Sequence, residues 1–214
     1  AKNYNQYLIE LIAQHAEGET ILDFGAGAGT FAVPIAALKQ NVVCVEPDAA
    51  LQNALATARL QFYPDLGSVP LESLDSAYSL NVLEHIEDDY DVLVELGRRL
   101  RQGGKLLIYV PAFKLLFSAM DRHVGHFRRY RRARLEELLR QAGFEILFAR
   151  YVDSIGFFVT LLYKLIGDRC GVISPRSVML YDRLVFPLSK LADRVLGGLF
   201  GKNLVVVARK PARV

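Results

Sequence analysis

Residues 21–30 read Ile-Leu-Asp-Phe-Gly-Ala-Gly-Ala-Gly-Thr, and this stretch decides the fold. An apolar run leads into Gly25, Gly27 and Gly29, and small residues follow, which predicts a strand, a tight turn and a helix. Glycines at such a turn allow positive φ and let a ligand approach the backbone closely, beside the free N–H groups of a helix N-terminus. Any tight connection of a strand to a helix can be glycine-rich, so the residues around the turn must decide whether it binds a ligand.

Strand and helix patterns alternate on both sides of this turn. Strands are predicted at 20–24, 41–46, within 61–73, and at 76–80, 105–110, 144–151 and 203–209. Helices are predicted at 4–16, 30–38, 47–59, 88–100 and 132–142, with a turn at 101–104. Regular alternation of the two predicts a parallel sheet with right-handed crossovers.

Composition favours one folded domain whose two parts differ in charge. Of 214 residues, 52% are hydrophobic and 23% charged, which excludes general disorder. The net charge of +3 combines 8 Lys and Arg against 15 Asp and Glu in residues 1–120 with 18 against 8 in residues 121–214. This charge asymmetry suggests that the two parts of the chain have different functions. Cys44 and Cys170 are too few for a disulfide framework and no signal peptide is visible, so a cytoplasmic localisation is expected.

Three residues around the glycines indicate which ligand the turn would take. A dinucleotide-binding turn reads G-x-G-x-x-G, whose third glycine permits close packing against a pyrophosphate, but Thr30 holds that position here. Asp23, two residues before the first glycine, would repel a pyrophosphate and suits a ligand that carries an ammonium and a sulfonium. Glu46 ends the second predicted strand, where a carboxylate can accept hydrogen bonds from both hydroxyls of a ribose.

Four segments together resemble class I S-adenosylmethionine-dependent methyltransferases, and more narrowly the small-molecule branch that includes ubiquinone and menaquinone biosynthesis. They are 21–30, 43–47 (Val-Cys-Val-Glu-Pro), 81–88 (Asn-Val-Leu-Glu-His-Ile-Glu-Asp) and 103–108 (Gly-Gly-Lys-Leu-Leu-Ile). The resemblance covers about residues 15–150. It implies an α/β three-layer sandwich with a seven-stranded, mostly parallel sheet and a reversed last strand. The cofactor would be S-adenosylmethionine, leaving as S-adenosylhomocysteine, and would lie across the carboxyl ends of the first, second and fourth strands.

The resemblance also implies which residues bind the cofactor. Asp23 and Gly25 match positions at its methionine part, Glu46 matches the ribose acid, and Asn81 matches the residue that faces the sulfonium region. The acid at the adenine should follow the third strand, where Asp65 is the best candidate in a segment shorter than usual. The expected cofactor-binding residues are Asp23, Gly25, Ala26, Gly27, Gly29, Glu46, Pro47, Asp65, Leu66 and Asn81.

The part of the site that binds the methyl acceptor is predicted in residues 121–130, after the fifth strand. This segment reads Asp-Arg-His-Val-Gly-His-Phe-Arg-Arg-Tyr. Guanidinium groups suit carboxylates or phosphates, although a basic run is often only a solvated loop. The candidate acceptor-binding residues are Arg128, Arg129 and Tyr130, and the candidate catalytic residues are His85, His126 and Tyr130. Helix-start packing is the alternative for His85. Glu84 and His85 alone are too few ligands for a metal site, and none is predicted.

Residues 153–200 lie outside the minimal sheet and predict an apolar helical cap inserted before the last strand at 203–210. The apolar stretch at 154–166 is too short to span a membrane, and 181–197 carry an apolar helical stripe with basic residues beside it. Two interpretations stay open. The cap packs over the sheet or on a second subunit, as in a homodimer, or it admits a lipid-like acceptor and docks on an anionic membrane.

The sequence therefore predicts a single domain, 1–214, with a cofactor-binding core at 1–150. It would transfer methyl groups to a small-molecule acceptor that is apolar, lipid-linked or anionic. Two alternatives stay open: a non-catalytic binding or membrane-scaffolding protein that keeps the fold, and a Rossmann-type enzyme using NAD or a nucleotide sugar. Nucleic acid is not expected as a partner, because no known binding module is recognised.

Overall fold

The computed structural model describes residues 1–38, 41–166 and 174–212. Its sheet has seven strands in the order β3-β2-β1-β4-β5-β7-β6. Their bounds are β1 Thr20–Phe24, β2 Asn41–Val45, β3 Gln61–Tyr63, β4 Leu74–Leu80, β5 Leu100–Pro111, β6 Glu145–Val152 and β7 Asn203–Arg209. Only β7 runs antiparallel to its neighbours, β5 and β6. The predicted mostly parallel sheet with a reversed last strand is therefore confirmed.

Helices cover both faces of this sheet. Their bounds are α1 Lys2–His15, α2 Ala32–Ala36, α3 Ala49–Thr57, α4 Asp89–Arg99, α5 Ala119–His123 and α6 Arg132–Gln141. Side chains alternate along β1 because successive residues of a strand point to opposite faces. Ile21 packs in the core under α1 to α3, whereas Leu22 and Phe24 pack in the core under α4 and α6. Asp23 alternates with Leu22 and Phe24, which places it on the α1 side at the carboxyl end of β1.

Two predicted boundaries are wrong for local reasons. The turn expected at 101–104 belongs to β5, which begins at Leu100 because β4 begins early enough for Leu74 to pair with it. A register shift follows, and Gly103 accommodates it with φ +79. The helix expected from Pro47 begins at Ala49, because the Asp48 carboxylate accepts the Ala50 N–H at 2.7 Å and caps it.

The segment between β6 and β7 is helical and is anchored by buried carboxylates. It contains α7 Ser154–Ile166, α8 Pro175–Leu180, a π-helical turn Tyr181–Val185 and α9 Phe186–Leu196, while residues 167–173, including Cys170, lie outside the described residues. Asp193 accepts the N–H groups of Asp153 at 2.7 Å and Ser154 at 2.8 Å and so caps α7. Asp182 accepts the N–H groups of Asn3 and Tyr4 at the start of α1. Both carboxylates complement the positive end of a helix dipole.

The apolar stripe of α9 and the turn before it faces outward. Phe186, Ser189 and Asp193 form the buried face of the helix. The stripe members are 55% to 82% exposed, namely Leu184, Leu188, Leu191 and Val195. These four side chains do not pack over the sheet, whereas the other apolar positions of the predicted stripe, Val185, Ala192 and Leu196, are half-buried. Across the described ranges, no helix combines the length and the apolarity that a membrane crossing requires.

Candidate functional site

Two glycines of the turn after β1 have different surroundings. Gly25 has φ +80 and donates its N–H to the Val45 carbonyl at 2.9 Å. A Cβ there would come within 2.4 Å of the Val82 side chain, so only glycine fits. Gly27 has φ +55, but a Cβ there would meet nothing within 4 Å. The turn therefore packs against the end of β4 at its first glycine and has open space beside its second, where a ligand could approach the backbone.

Glu46 supports this turn from the end of β2. Its carboxylate is 6% exposed and accepts the N–H of Gly27 at 2.8 Å on Oε2 and the N–H of Asp48 at 2.9 Å on Oε1. An ionised carboxylate offers about four acceptor positions, so two remain for hydroxyl groups. Sequence reasoning places Glu46 at this edge but cannot anticipate its bond to the glycine turn.

Asp23 is a buried acid with an unsatisfied oxygen. It is 3% exposed, lies between Cys44 and Tyr78 in the sheet register, and its Oδ2 has no hydrogen-bond partner among the described residues. Burial raises the pKa of Asp23 to about 7; the Tyr78 hydroxyl opposes the rise and the charge of Glu46 adds to it. A buried carboxylate oxygen without a hydrogen-bond donor is costly unless a cation or donor meets it. The site therefore fits a ligand that brings an ammonium group to this edge.

Asn81 follows β4 with φ +54 and donates its N–H to the Tyr109 carbonyl at 2.8 Å. Positive φ outside glycine is uncommon and is concentrated at functional sites. Burial raises the pKa of Tyr4 to about 12, and the side chains of Tyr109 and Asn81 oppose the rise. Helix α1 thus reaches the carboxyl end of β4 through Tyr4. From its spacing alone, Tyr4 is only one apolar position of an amphipathic helix.

The other predicted cofactor-binding residues lie along the same edge, but several of their groups are already hydrogen-bonded or buried and so are less available to a ligand. Pro47 is exposed directly after Glu46, and the backbone N–H groups of Ala26 and Gly29 donate to the carbonyls of Val45 and Ala26 respectively. Asp65 follows β3 and is exposed, but its Oδ1 accepts the Ser68 N–H at 2.8 Å. Leu66 packs in the core under α4, so its side chain is not available to a ligand.

The basic segment 121–130 differs most from its predicted role in binding the acceptor. Arg129 binds Asp121 with Nε at 2.8 Å from Oδ1, and Arg128 binds Asp89 at 2.7 Å. Tyr130 is 3% exposed, and its hydroxyl donates to Asp89 at 2.8 Å. These groups were expected to face an acceptor, but they are occupied by acids, one of them outside the segment. We therefore treat them as residues that position the segment.

The two candidate histidines do come together. The rings of His85 and His126 meet edge to face with centroids 4.6 Å apart. His126 Nδ1 lies 2.7 Å from Asp121 Oδ1. Partial burial lowers the pKa of His85, and the neighbouring His126 lowers it further. Their neighbour Glu84 is fully buried.

Comparison with known proteins agrees with this geometry. A family model described as a methyltransferase domain matches residues 1–148. A probable S-adenosylmethionine-dependent methyltransferase of Mycolicibacterium smegmatis is 28% identical over 164 residues, or 72% of this chain and 61% of the relative. The chain thus spans less than two thirds of that relative's length.

Solved structures share the fold at low identity. A SAM-dependent methyltransferase from Archaeoglobus fulgidus has a TM-score of 0.67 at 17% identity, covering 98% of this chain and 94% of that one. Phosphoethanolamine N-methyltransferase 2 of Haemonchus contortus, solved with S-adenosyl-L-methionine, has a TM-score of 0.62 at 20% identity, covering 99% and 53%. These matches do not specify the ubiquinone-type branch. The family model and the relatives support the S-adenosylmethionine cofactor predicted from the sequence, and the chain belongs to the class I S-adenosylmethionine-dependent methyltransferase family.

Proposed function

We propose that the protein transfers a methyl group from S-adenosylmethionine to a small-molecule acceptor that is apolar, lipid-linked or anionic. The observation that carries the proposal is the buried carboxylate of Asp23, whose Oδ2 has no hydrogen-bond partner among the described residues, together with Glu46 and the open glycine turn. When bound, the cofactor supplies a methyl group already activated on a sulfonium. Asp23 would pair with its ammonium and Glu46 would accept its ribose hydroxyls, so that the chain contributes mainly alignment.

The same residues argue against the Rossmann-type alternative. Thr30 stands where a dinucleotide-binding turn has its third glycine, and the carboxylate of Asp23 is buried at the turn where a pyrophosphate would lie. Bringing this carboxylate and a pyrophosphate together in a site of low dielectric is unfavourable. The non-catalytic alternative uses the same pocket, so turnover must separate it from an enzyme.

The cap supports an apolar acceptor because it borders the segment that follows β5. Lys164 of α7 donates to the Leu115 carbonyl at 2.7 Å, and the rings of Phe113 and Phe157 lie 5.4 Å apart. Beyond this contact the exposed apolar stripe of α9 continues. Exposed basic residues accompany it, namely Arg176, Arg183, Lys190 and Arg194. An apolar face with basic residues suits an anionic lipid surface, and we infer that the acceptor is presented there.

Turnover of labelled donor tests this function. Wild-type protein given methyl-labelled S-adenosylmethionine is expected to label a component of a lipid extract, identified by mass spectrometry, whereas Glu46→Ala is expected to label little. Label found only with an aqueous metabolite extract would overturn the lipid-like acceptor while keeping the enzyme. Binding of S-adenosylhomocysteine without turnover in either extract would favour the non-catalytic alternative.

Vesicle flotation tests the lipid surface separately. The protein is expected to float with vesicles containing anionic phosphatidylglycerol and not with neutral phosphatidylcholine vesicles, and salt should weaken the binding. Arg183→Gln and Arg194→Gln should each weaken it about fivefold, because a basic residue near such a surface contributes about 1 kcal/mol. Leu188→Glu should abolish it.

Leu71→Glu is the matched control for flotation, because Leu71 is 63% exposed outside the cap. It should float like the wild type. If the wild type fails to float and light scattering finds a dimer that Leu188→Glu dissociates, the stripe is an interface between two copies and the lipid surface is wrong.

A further inference from the structure

We propose that Glu84, His85 and His126 bind a divalent transition-metal ion, for which Zn²⁺ is the best match. One ligand atom from each residue lies within 4.8 Å of the other two. Two imidazole nitrogens and one carboxylate oxygen are a ligand set that zinc accepts. The sequence did not predict the site because Glu84 and His85 alone are two ligands, and the third comes from a distant segment.

The topology of the sheet brings that third ligand in. Glu84 and His85 lie in the helical turn Leu83–His85 directly after β4, and His126 lies in the connection after β5. Strands β4 and β5 are parallel neighbours, so their carboxyl ends share an edge. The Phe127 N–H donates to the Glu84 carbonyl at 2.8 Å, which joins the two segments beside the cluster.

Glu84 is the observation that points to a ligand. It is 0% exposed, and neither of its carboxylate oxygens has a hydrogen-bond partner among the described residues. Removing an ionised carboxylate from water without donors or a cation is strongly unfavourable. A bound cation would meet that requirement directly, since a metal takes up the lone pairs that no donor satisfies.

His126 is oriented as a metal ligand would be. Asp121 is 1% exposed; its Oδ1 lies 2.7 Å from Nδ1 of His126 and accepts the Nε–H of Arg129 at 2.8 Å. Arg129 holds the Asp121 carboxylate in place against Nδ1 of His126, which leaves Nε2 as the ring nitrogen that faces Glu84, 3.8 Å from its Oε1. This carboxylate–histidine pair is the usual support of a metal-ligating imidazole.

The distances allow an ion with small side-chain adjustments. Two atoms bound to one zinc at about 2.1 Å can be at most about 4.2 Å apart, and His126 Nε2 already lies 3.8 Å from Glu84 Oε1. The wider separations require His85 to move inward, and its exposed ring has the freedom to do so. Three protein ligands leave a coordination position open. If the proposed function holds, this position is available to an oxygen atom of the acceptor.

Calorimetric titration of chelator-treated protein with Zn²⁺, and with Co²⁺ followed by visible absorption, tests the site. We expect one ion per chain, and Co²⁺ bands that indicate nitrogen and oxygen ligands. His85→Ala and His126→Ala should weaken binding at least tenfold, and Asp121→Asn about 10–100-fold, as loss of a ligand's support does. Glu84→Gln should weaken it too, and thermal melting will show whether this buried variant folds.

His123→Ala is the matched control, because His123 is exposed on α5 and outside the cluster; it should bind like the wild type. The metal site would be overturned if the wild type binds no stoichiometric metal, or if His85→Ala and His126→Ala both bind it with wild-type affinity. S-adenosylhomocysteine binding measured without metal keeps the two proposals apart. Its absence would overturn the proposed function and leave the metal result standing.

Discussion

Glu46→Ala is expected to weaken S-adenosylhomocysteine binding by roughly 10–100-fold. A hydrogen bond to a charged group contributes about 1.5–3 kcal/mol, which is roughly this factor. The variant would also free the N–H groups of Gly27 and Asp48, which Glu46 now accepts at 2.8 Å and 2.9 Å. Both the ribose contact and the support of the glycine turn would therefore be lost together. Titration calorimetry with S-adenosylhomocysteine measures the change.

Two further variants separate these contributions. Glu46→Gln keeps one acceptor oxygen for Gly27 but loses the negative charge, so it should bind more weakly than wild type while melting at nearly the same temperature. Glu19→Ala removes the same charge from an exposed position at the opposite end of β1 and should leave the affinity unchanged. Affinity of Glu46→Ala within twofold of wild type would contradict the ribose assignment, and no binding by wild type would overturn the cofactor site.

Sequence alone is sufficient where the chemistry is local. The strand, glycine turn and helix are contiguous, so their order along the chain is enough to put Asp23 and Gly25 at the carboxyl edge of the sheet. Glu46 ends the next predicted strand, and parallel crossovers return each strand end to the same edge. The seven-stranded order brings these residues together as expected.

Sequence is insufficient where long-range contacts decide. A run of arginines predicts positive charge but not its partners, and Asp89, which binds Arg128, comes from α4. Helical spacing groups the apolar residues of α9 on one stripe, but cannot tell whether that stripe faces the sheet or solvent. In the same way His126 joins Glu84 only because two connections meet at the edge of β4 and β5.

Binding of S-adenosylhomocysteine is expected to strengthen as the pH rises to about 7 and to level off above it. Burial raises the pKa of Asp23 to about 7 in the free protein, with Glu46 adding to the rise. A raised carboxyl pKa means that ionisation is disfavoured in the fold, so this group costs stability as pH rises from its unfolded pKa of about 4. The ligand's ammonium reverses that preference, because it favours the ionised acid.

The sign of the pH dependence follows from this reversal. Below pH 7 the free protein holds a proton on Asp23 that must leave when the ammonium binds, so affinity should fall by up to about tenfold for each pH unit of acidification. Above pH 7 the acid is already ionised and no proton is released. Calorimetry at pH 6 in two buffers of different ionisation enthalpy should therefore detect release of up to one proton, which disappears at pH 8.

Asp23→Asn should bind weakly at every pH and release no proton. Burial also raises the pKa of Glu84 to about 7, so Glu84→Gln is the decisive comparison: if Asp23 is responsible, this variant keeps the wild-type slope. Asp91→Asn, at an exposed position on α4, controls for the charge change and should keep the slope as well. A flat profile in the wild type would show that Asp23 does not meet the ammonium. A slope that survives in Asp23→Asn and vanishes in Glu84→Gln would show in addition that the acid after β4 governs the site.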